Sequence, residues 1–156
     1  MVSASSNYWL MKSEPNECSI DDTLAASNQT VPWIGVRNYQ ARNFMRDNMR
    51  VGDGVLFYHS SCAEPGIAGL ARVASKPKPD LTQFDASSPY FDATAKPAEP
   101  RWTLVDVQAV RKTRLLNLPE LRNIDALSDM LLLKKGNRLS ITPVSKTHWD
   151  LIGKLL

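Results

Sequence analysis

Gly52-Asp53-Gly54-Val55-Leu56-Phe57-Tyr58-His59-Ser60 sets a turn against a near-continuous apolar run. Glycines flanking an aspartate supply turn conformations, and large apolar residues in series bounded by turn signals read as a strand. Cys62-Ala63-Glu64-Pro65-Gly66 then closes a hairpin into a second strand, Ile67-Ala68-Gly69-Leu70-Ala71-Arg72-Val73. Gly69 lowers the propensity of that strand and marks a place where another segment comes close. Upstream, Tyr8-Trp9-Leu10-Met11-Lys12, bounded by Glu14-Pro15, opens the chain as a strand. Ser19 precedes a short helix beginning Ile20-Asp21-Asp22, with acids in the first turn where the helix dipole favours them. Pro32 to Val36 is an irregular approach to a stronger helix over about 38–49. Ala41, Phe44, Met45 and Met49 form its apolar face, and Arg42, Arg46 and Arg50 a second stripe beside it.

Downstream, five prolines within residues 75–101 predict a long loop, which nonetheless carries Phe84, Tyr90 and Phe91. Trp102 to Val110 alternates toward a long strand. Asn117-Leu118-Pro119 reads as a helix cap with proline in the first turn, and helical pattern continues in patches to Lys134-Lys135-Gly136. A last helix begins near Lys146 and carries Trp149, Ile152 and Leu156. Strand, helix, hairpin, strand and closing helices make an α+β, barrel-like domain.

The 156 residues suit one domain, expected over 7–156 behind a short polar tail of residues 1–6. No apolar run approaches the roughly 20 residues of a spanning helix. Met1 to Asn7 has neither the positive nor the apolar region of a signal peptide, so a cytoplasmic protein without a membrane partner is expected. Cys18 and Cys62 stand apart, and His59 and His148 are the only histidines, which offers no paired metal-ligand spacing. No metal or cofactor is expected. The net charge of +3 permits a nucleic-acid partner without demanding one, and residues 37–50 alone carry a surplus of that size.

Catalytic motifs are missing: there is no GxSxG, no Walker loop and no GxGxxG. His59 lies beside Ser60 and Ser61, but adjacent strand residues point to opposite faces. An enzymatic alternative, a small nucleic-acid hydrolase using His59 with Glu14 or Asp53, has its carboxylates beside proline or glycine in turns. Trp33-Ile34-Gly35-Val36-Arg37-Asn38-Tyr39-Gln40-Ala41-Arg42-Asn43 is more informative. Two aromatics bracket Arg37 and Asn38 at a helix entrance, a grouping that offers stacking faces, an amide for a base edge and cations for phosphate. A plainer account stands beside it: Trp33 plugging the core, Asn38 capping the helix and the arginines forming a solvated face.

Those blocks, with Gly66 to Val73 and Arg138-Leu139-Ser140-Ile141-Thr142-Pro143-Val144, occur in an order that resembles the EVE domain. That family belongs to the PUA-like superfamily and is related to the YTH domain, and the resemblance runs from about Asn7 to Leu155. It implies a β-pseudobarrel of five to six strands flanked by helices, with a pocket for a modified nucleobase. The implied ligands are modified bases of DNA or RNA, 5-modified cytosines foremost, just as YTH domains read N6-methyladenosine in an aromatic cage. Carried over by position, Lys12 and Ser13 lie at the pocket rim and Trp33 forms one cage wall. Val36, Asn38 and Tyr39 follow at the helix entrance; Tyr58, His59 and Ser60 end a central strand; and Leu139, Ser140 and Pro143 face the same opening. Lys12, Arg37, Arg42, Arg46 and Arg138 are the implied phosphate contacts. The second wall has no assignment beyond the region Phe84 to Phe91. The implied protein is a non-enzymatic reader, a monomer or weak homodimer. The alternative is a small-molecule or protein-interaction sensor using the same pocket.

Overall fold

A computed structural model describes residues 7–156; the expected tail over residues 1–6 lies outside the described residues. The elements in chain order begin with β1 (Tyr8–Ser13), α1 (Ile20–Ala25), β2 (Thr30–Pro32) and α2 (Tyr39–Asn43). Next come β3 (Gly54–His59), β4 (Gly66–Val73), β5 (Lys78–Pro79), β6 (Thr103–Leu104) and β7 (Asp106–Asn117). The chain closes with α3 (Leu118–Arg122), β8 (Ile141–Val144) and α4 (Lys146–Gly153). Six strands form one mixed sheet in the order β2-β7-β4-β3-β1-β8, and β5 pairs with β6 apart from it. The fold is α+β, as the sequence predicts, with β2 and β8 as the edges of the large sheet.

The central strands read as continuous apolar runs because both faces of the sheet are covered. Trp9, Met11, Val55 and Phe57 join one core on one face. Leu10, Leu56 and Tyr58 alternate into a second core on the other, under Leu121, Leu127 and Ile152. Full burial of a side chain such as Phe57 contributes roughly 1.5–3 kcal/mol, and Phe57 has no exposed surface. β1 runs parallel to β3, with Ser13 opposite His59, whereas β3 and β4 form the expected antiparallel hairpin. Gly69 faces Ile20: a Cβ there would lie 2.6 Å from the Ile20 side chain and 2.9 Å from the Arg111 carbonyl.

Local caps fall where the sequence puts them. Ser19 and Asp22 form a reciprocal capping box on α1, and Asn117 accepts from the Glu120 N–H at the start of α3. The helix expected over 38–49 is shorter than predicted. It is α-helical only over Tyr39–Asn43 and then widens into a π-turn over Phe44–Asn48, closed by the Met49 N–H to the Phe44 carbonyl. The strand expected over 102–110 also divides, into β6 and β7, and the Val105 carbonyl between them accepts from the Trp33 N–H at 3.0 Å. The proline-rich segment is a structured strap: β5, a 3-10 turn over Leu81–Phe84 and a series of tight turns bring residues 80–92 back toward Trp33 to Arg37.

Candidate nucleic-acid interface

The parallel pairing of β1 with β3 sets the ends of two strands side by side. The Ser60 N–H donates to the Ser13 carbonyl at 3.0 Å, and the Lys12 N–H to the Ser140 carbonyl at 2.8 Å. These contacts make a floor of Lys12, Ser13, Ser60 and Ser140 from three separate segments. Above it opens a cleft of about 430 Å³, also lined by Trp33, Gly35, Val36, Tyr90 and Arg138. Glu14, Glu17 and Cys18 bound it from the turn after β1. The volume suits a small organic group with a few placed polar contacts. The Ser13 hydroxyl donates to the Cys18 carbonyl at 2.6 Å, which leaves its oxygen free to accept.

Two aromatic side chains reach this cleft. Trp33 is 7% exposed and packs edge-on against Phe57 with ring centres 5.3 Å apart, so it plugs the core and walls the cleft at once. Tyr90 arrives from the strap and lies directly over Gly35. A Cβ on Gly35 would stand 2.5–2.8 Å from three ring carbons of Tyr90, and Gly35 has φ +82°. The Tyr90 hydroxyl donates to Glu17 Oε2 at 2.5 Å, and burial together with that bond pushes its pKa up to about 12. Burial lowers the pKa of Lys12, whose ammonium has no carboxylate within ion-pair distance among the described residues.

Arg37 has a different task from the one its position implies. Its guanidinium donates twice to the Tyr90 carbonyl (3.1 and 2.7 Å), once to the Val36 carbonyl and once to Thr82 Oγ1, and pairs with Asp80 at 3.0 Å. All five N–H groups are thereby engaged, so Arg37 clamps the strap and positions Tyr90 instead of offering a hand to phosphate. Asp80 is fully buried; burial alone would raise its pKa, but hydrogen bonds from Thr82, Gly35 and Arg37 outweigh that and hold it below the ordinary carboxylate value.

The other expected site residues scatter. Asn38 caps α2 by accepting from the Ala41 N–H at 3.0 Å. Tyr39 is 54% exposed and stacks on Trp102 away from the cleft lining. Tyr58 is buried in the second core, on the opposite face from Phe57. His59 Nε2 accepts from the Ile20 N–H at 3.1 Å, anchoring α1, and burial pushes its pKa below the ordinary histidine value. Asp53, the suggested partner of His59 in hydrolysis, accepts instead from Trp9 Nε1 and from the Asn7 and Arg50 N–H groups. Leu139 is half-buried outside the lining, and Pro143 lines a separate groove with Trp9 and Phe44. Arg46 pairs with its neighbour Asp47, and Arg42 lies in another concavity with Tyr39. Lys12, Ser13, Trp33, Val36, Ser60, Arg138 and Ser140 do meet in one place. Tyr90 falls within the region Phe84 to Phe91 left open for the second wall, whereas Gly35 and Glu17 were not among the expected site residues; the available signal was a glycine just before a helix.

Among the described residues, no helix is long and apolar enough to cross a membrane, and no three His, Cys, Asp or Glu side chains group as metal ligands do. The EVE domain family model matches residues 7–155. Human thymocyte nuclear protein 1 is 42% identical over 165 aligned positions, covering 94% of this chain and 72% of that protein. A crystal structure of the human protein in complex with 5-methylcytosine-containing DNA superposes with a TM-score of 0.91 at 42% identity, covering 96% of this chain and 97% of that one. A crystal structure from Pseudomonas putida gives 0.90 at 47% identity, covering 95% and 98%. The YTH domain of a Zygosaccharomyces rouxii protein shares the fold at a TM-score of 0.54 and 17% identity, covering 99% of this chain and 89% of that one. The expected cytoplasmic location finds no support in the human relative, which is named a nuclear protein.

Proposed function

The chain belongs to the EVE domain family, and from that premise we propose that its cleft receives a modified base of DNA or RNA, a 5-modified cytosine first of all. The observation that carries this reading is the meeting of Trp33 and Tyr90 in one cavity whose floor is made of serine hydroxyls. The human relative crystallised with 5-methylcytosine-containing DNA supports the choice of base. Stacking on an aromatic returns roughly 1–3 kcal/mol per base, and burying one methyl adds about 0.8 kcal/mol. Turning a base out of a duplex costs a few kcal/mol, so single-stranded or mismatched sites bind best. Ser13, Ser60 and Ser140 hold the polar edge of the base, because a buried donor left unpaired costs roughly 1–3 kcal/mol. Lys12 and Arg138 take the phosphates nearest the base. The protein performs no chemistry on its ligand.

Anisotropy titrations with matched single-stranded oligonucleotides test this reading. One carries a 5-methylcytosine, the other cytosine at the same place. Tighter binding of the modified strand, abolished by Tyr90→Ala in a protein that still unfolds cooperatively, is the expected result. Equal affinity for both strands overturns it. A free nucleoside bound as tightly as the strand, with no salt dependence, would instead favour a small-molecule sensor.

A further inference from the structure

A second concavity lies beyond the strap, lined by Tyr39, Arg42, Thr94, Lys96, Glu99 and Arg101. Three cations face one carboxylate there. Arg42 donates to the Arg101 carbonyl at 2.8 Å and to Asn43 Oδ1 at 3.1 and 2.8 Å, all neutral acceptors. Among the described residues, neither Arg42 nor Lys96 has a carboxylate within ion-pair distance. Arg101 is steadied by Asp92 at 3.4 Å and by Thr94 Oγ1 at 2.6 Å. Burial, followed by the charges of Arg46 and Arg101, lowers the pKa of Arg42 against the opposing pull of Tyr39 and Asp47.

An aromatic platform completes the concavity. Tyr39 stacks on Trp102 with ring centres 5.0 Å apart and planes 24° from parallel. The Arg42 guanidinium is 4.8 Å from the Tyr39 ring centre and 5.9 Å from that of Trp102. Tyr39 is nonetheless 54% exposed, so part of its ring stays open to solvent beside the guanidinium and the indole. Such a face beside free cations is the pairing that holds a base and its phosphate.

Arg37 connects the linings of the two concavities. Arg37 lies 5.6 Å from the Tyr90 ring, which lines the first, and 5.5 Å from the Trp102 ring, which carries Tyr39. Tyr90, Arg37, Trp102 and Tyr39 therefore form a continuous stack from one site to the other. At about 3.4 Å of rise per stacked nucleotide, a strand of no more than about five nucleotides spans it.

We propose that the Tyr39–Arg42–Lys96–Arg101 concavity is a phosphodiester subsite, which holds the backbone of the strand whose modified base occupies the first cleft and stacks a neighbouring base on Tyr39. This inference rests on the base-reading function above. The read base and its flank then bind at separate stations, and affinity grows with strand length toward one side of the modified base.

The test uses the isotope-labelled full chain and three probes: inorganic phosphate, an unmodified hexanucleotide, and the same strand with one 5-methylcytosine. Both strands should shift the amide resonances of Tyr39, Arg42, Lys96 and Arg101 at concentrations where inorganic phosphate does not. Lys96→Gln should weaken binding of the modified strand about three- to tenfold at low salt and flatten the log–log salt slope by about 0.7 for the phosphate lost. It should leave the affinity for 5-methylcytidine unchanged. The proposal is overturned by strands that leave these amides unmoved, by a Lys96→Gln slope equal to wild type, or by inorganic phosphate acting as strongly as the strands, which would mark a free-anion site. If both strands bind alike while the four amides still shift, the base-reading function fails and the subsite stands.

Discussion

Gly35→Ala isolates the contact that builds the cleft. A Cβ at Gly35 would stand 2.5, 2.7 and 2.8 Å from Cζ, Cε1 and Cε2 of Tyr90. The ring has little freedom to retreat, since its hydroxyl is tied to Glu17 and its own carbonyl is held twice by Arg37. A non-glycine residue in the left-handed region loses roughly 1–2 kcal/mol, and overpacking costs about 1–3 kcal/mol. Urea unfolding should therefore show a destabilisation of roughly 2–5 kcal/mol. Displacing Tyr90 also removes a stacking face worth about 1–3 kcal/mol, which is about 5- to 150-fold in affinity for the modified strand. A double-mutant cycle separates the two effects. In a Tyr90→Ala background the steric penalty is gone, so Gly35→Ala should cost only its backbone strain and nothing more in affinity. Penalties that add in full, to within about 0.5 kcal/mol, would show that Gly35 does not support the ring and that Tyr90 is no wall.

Arg37→Gln leaves the Asp80 carboxylate, fully buried in its side chain, without its cation. Breaking such a pair costs about 3–5 kcal/mol, and a loss below about 1 kcal/mol in urea unfolding would refute the clamp. Asp92 is held at about 2 by hydrogen bonds from Thr94 and from Trp102 Nε1, with Arg101 adding charge. Its unfolded value is near 3.9, so the carboxylate stabilises fully above that pH and the stabilisation is lost as pH falls toward 2. The Tm difference between wild type and Asp92→Asn should accordingly be constant above pH 5 and shrink below pH 4; a constant difference down to pH 2 would refute the assignment.

Where the fold was legible in the sequence, the forces were local or the burial complete. Val55 to Tyr58 announced a strand because both of its faces are covered, leaving no polar alternation to blur the run. Ser19, Asn38 and Asn117 each act on the N–H three residues ahead, within the reach of any sequence window. The site was legible only in part. Ser13 and Ser60 become neighbours through a parallel register that no local pattern encodes. The π-turn after Asn43 is likewise silent in sequence: Phe44 and Met45 keep their apolar spacing, and the widening alters only which carbonyl the Met49 N–H finds. Tyr90 sits in a proline-rich strap, where its role depends on a glycine 55 positions away that admits its ring.

Charge shows the same limit and also its remedy. Residues 37–50 carry four arginines against one aspartate, which reads as a single basic stripe next to a pocket. Folding dismantles that stripe. Arg37 is neutralised by Asp80 from the strap, and Arg46 by Asp47 beside it. Arg42 alone among those three keeps only neutral partners, and the strap sets Lys96 and Arg101 around it. The same proline-rich segment thus cancels one arginine to fix an aromatic wall and supplies two cations to surround another. A count of charges along the helix could not separate these fates, because the deciding partners arrive from 43 to 59 positions away. Around this helix, free positive potential is set by where the strap lands, so substitutions in the strap should move the salt dependence of binding more than those in the helix.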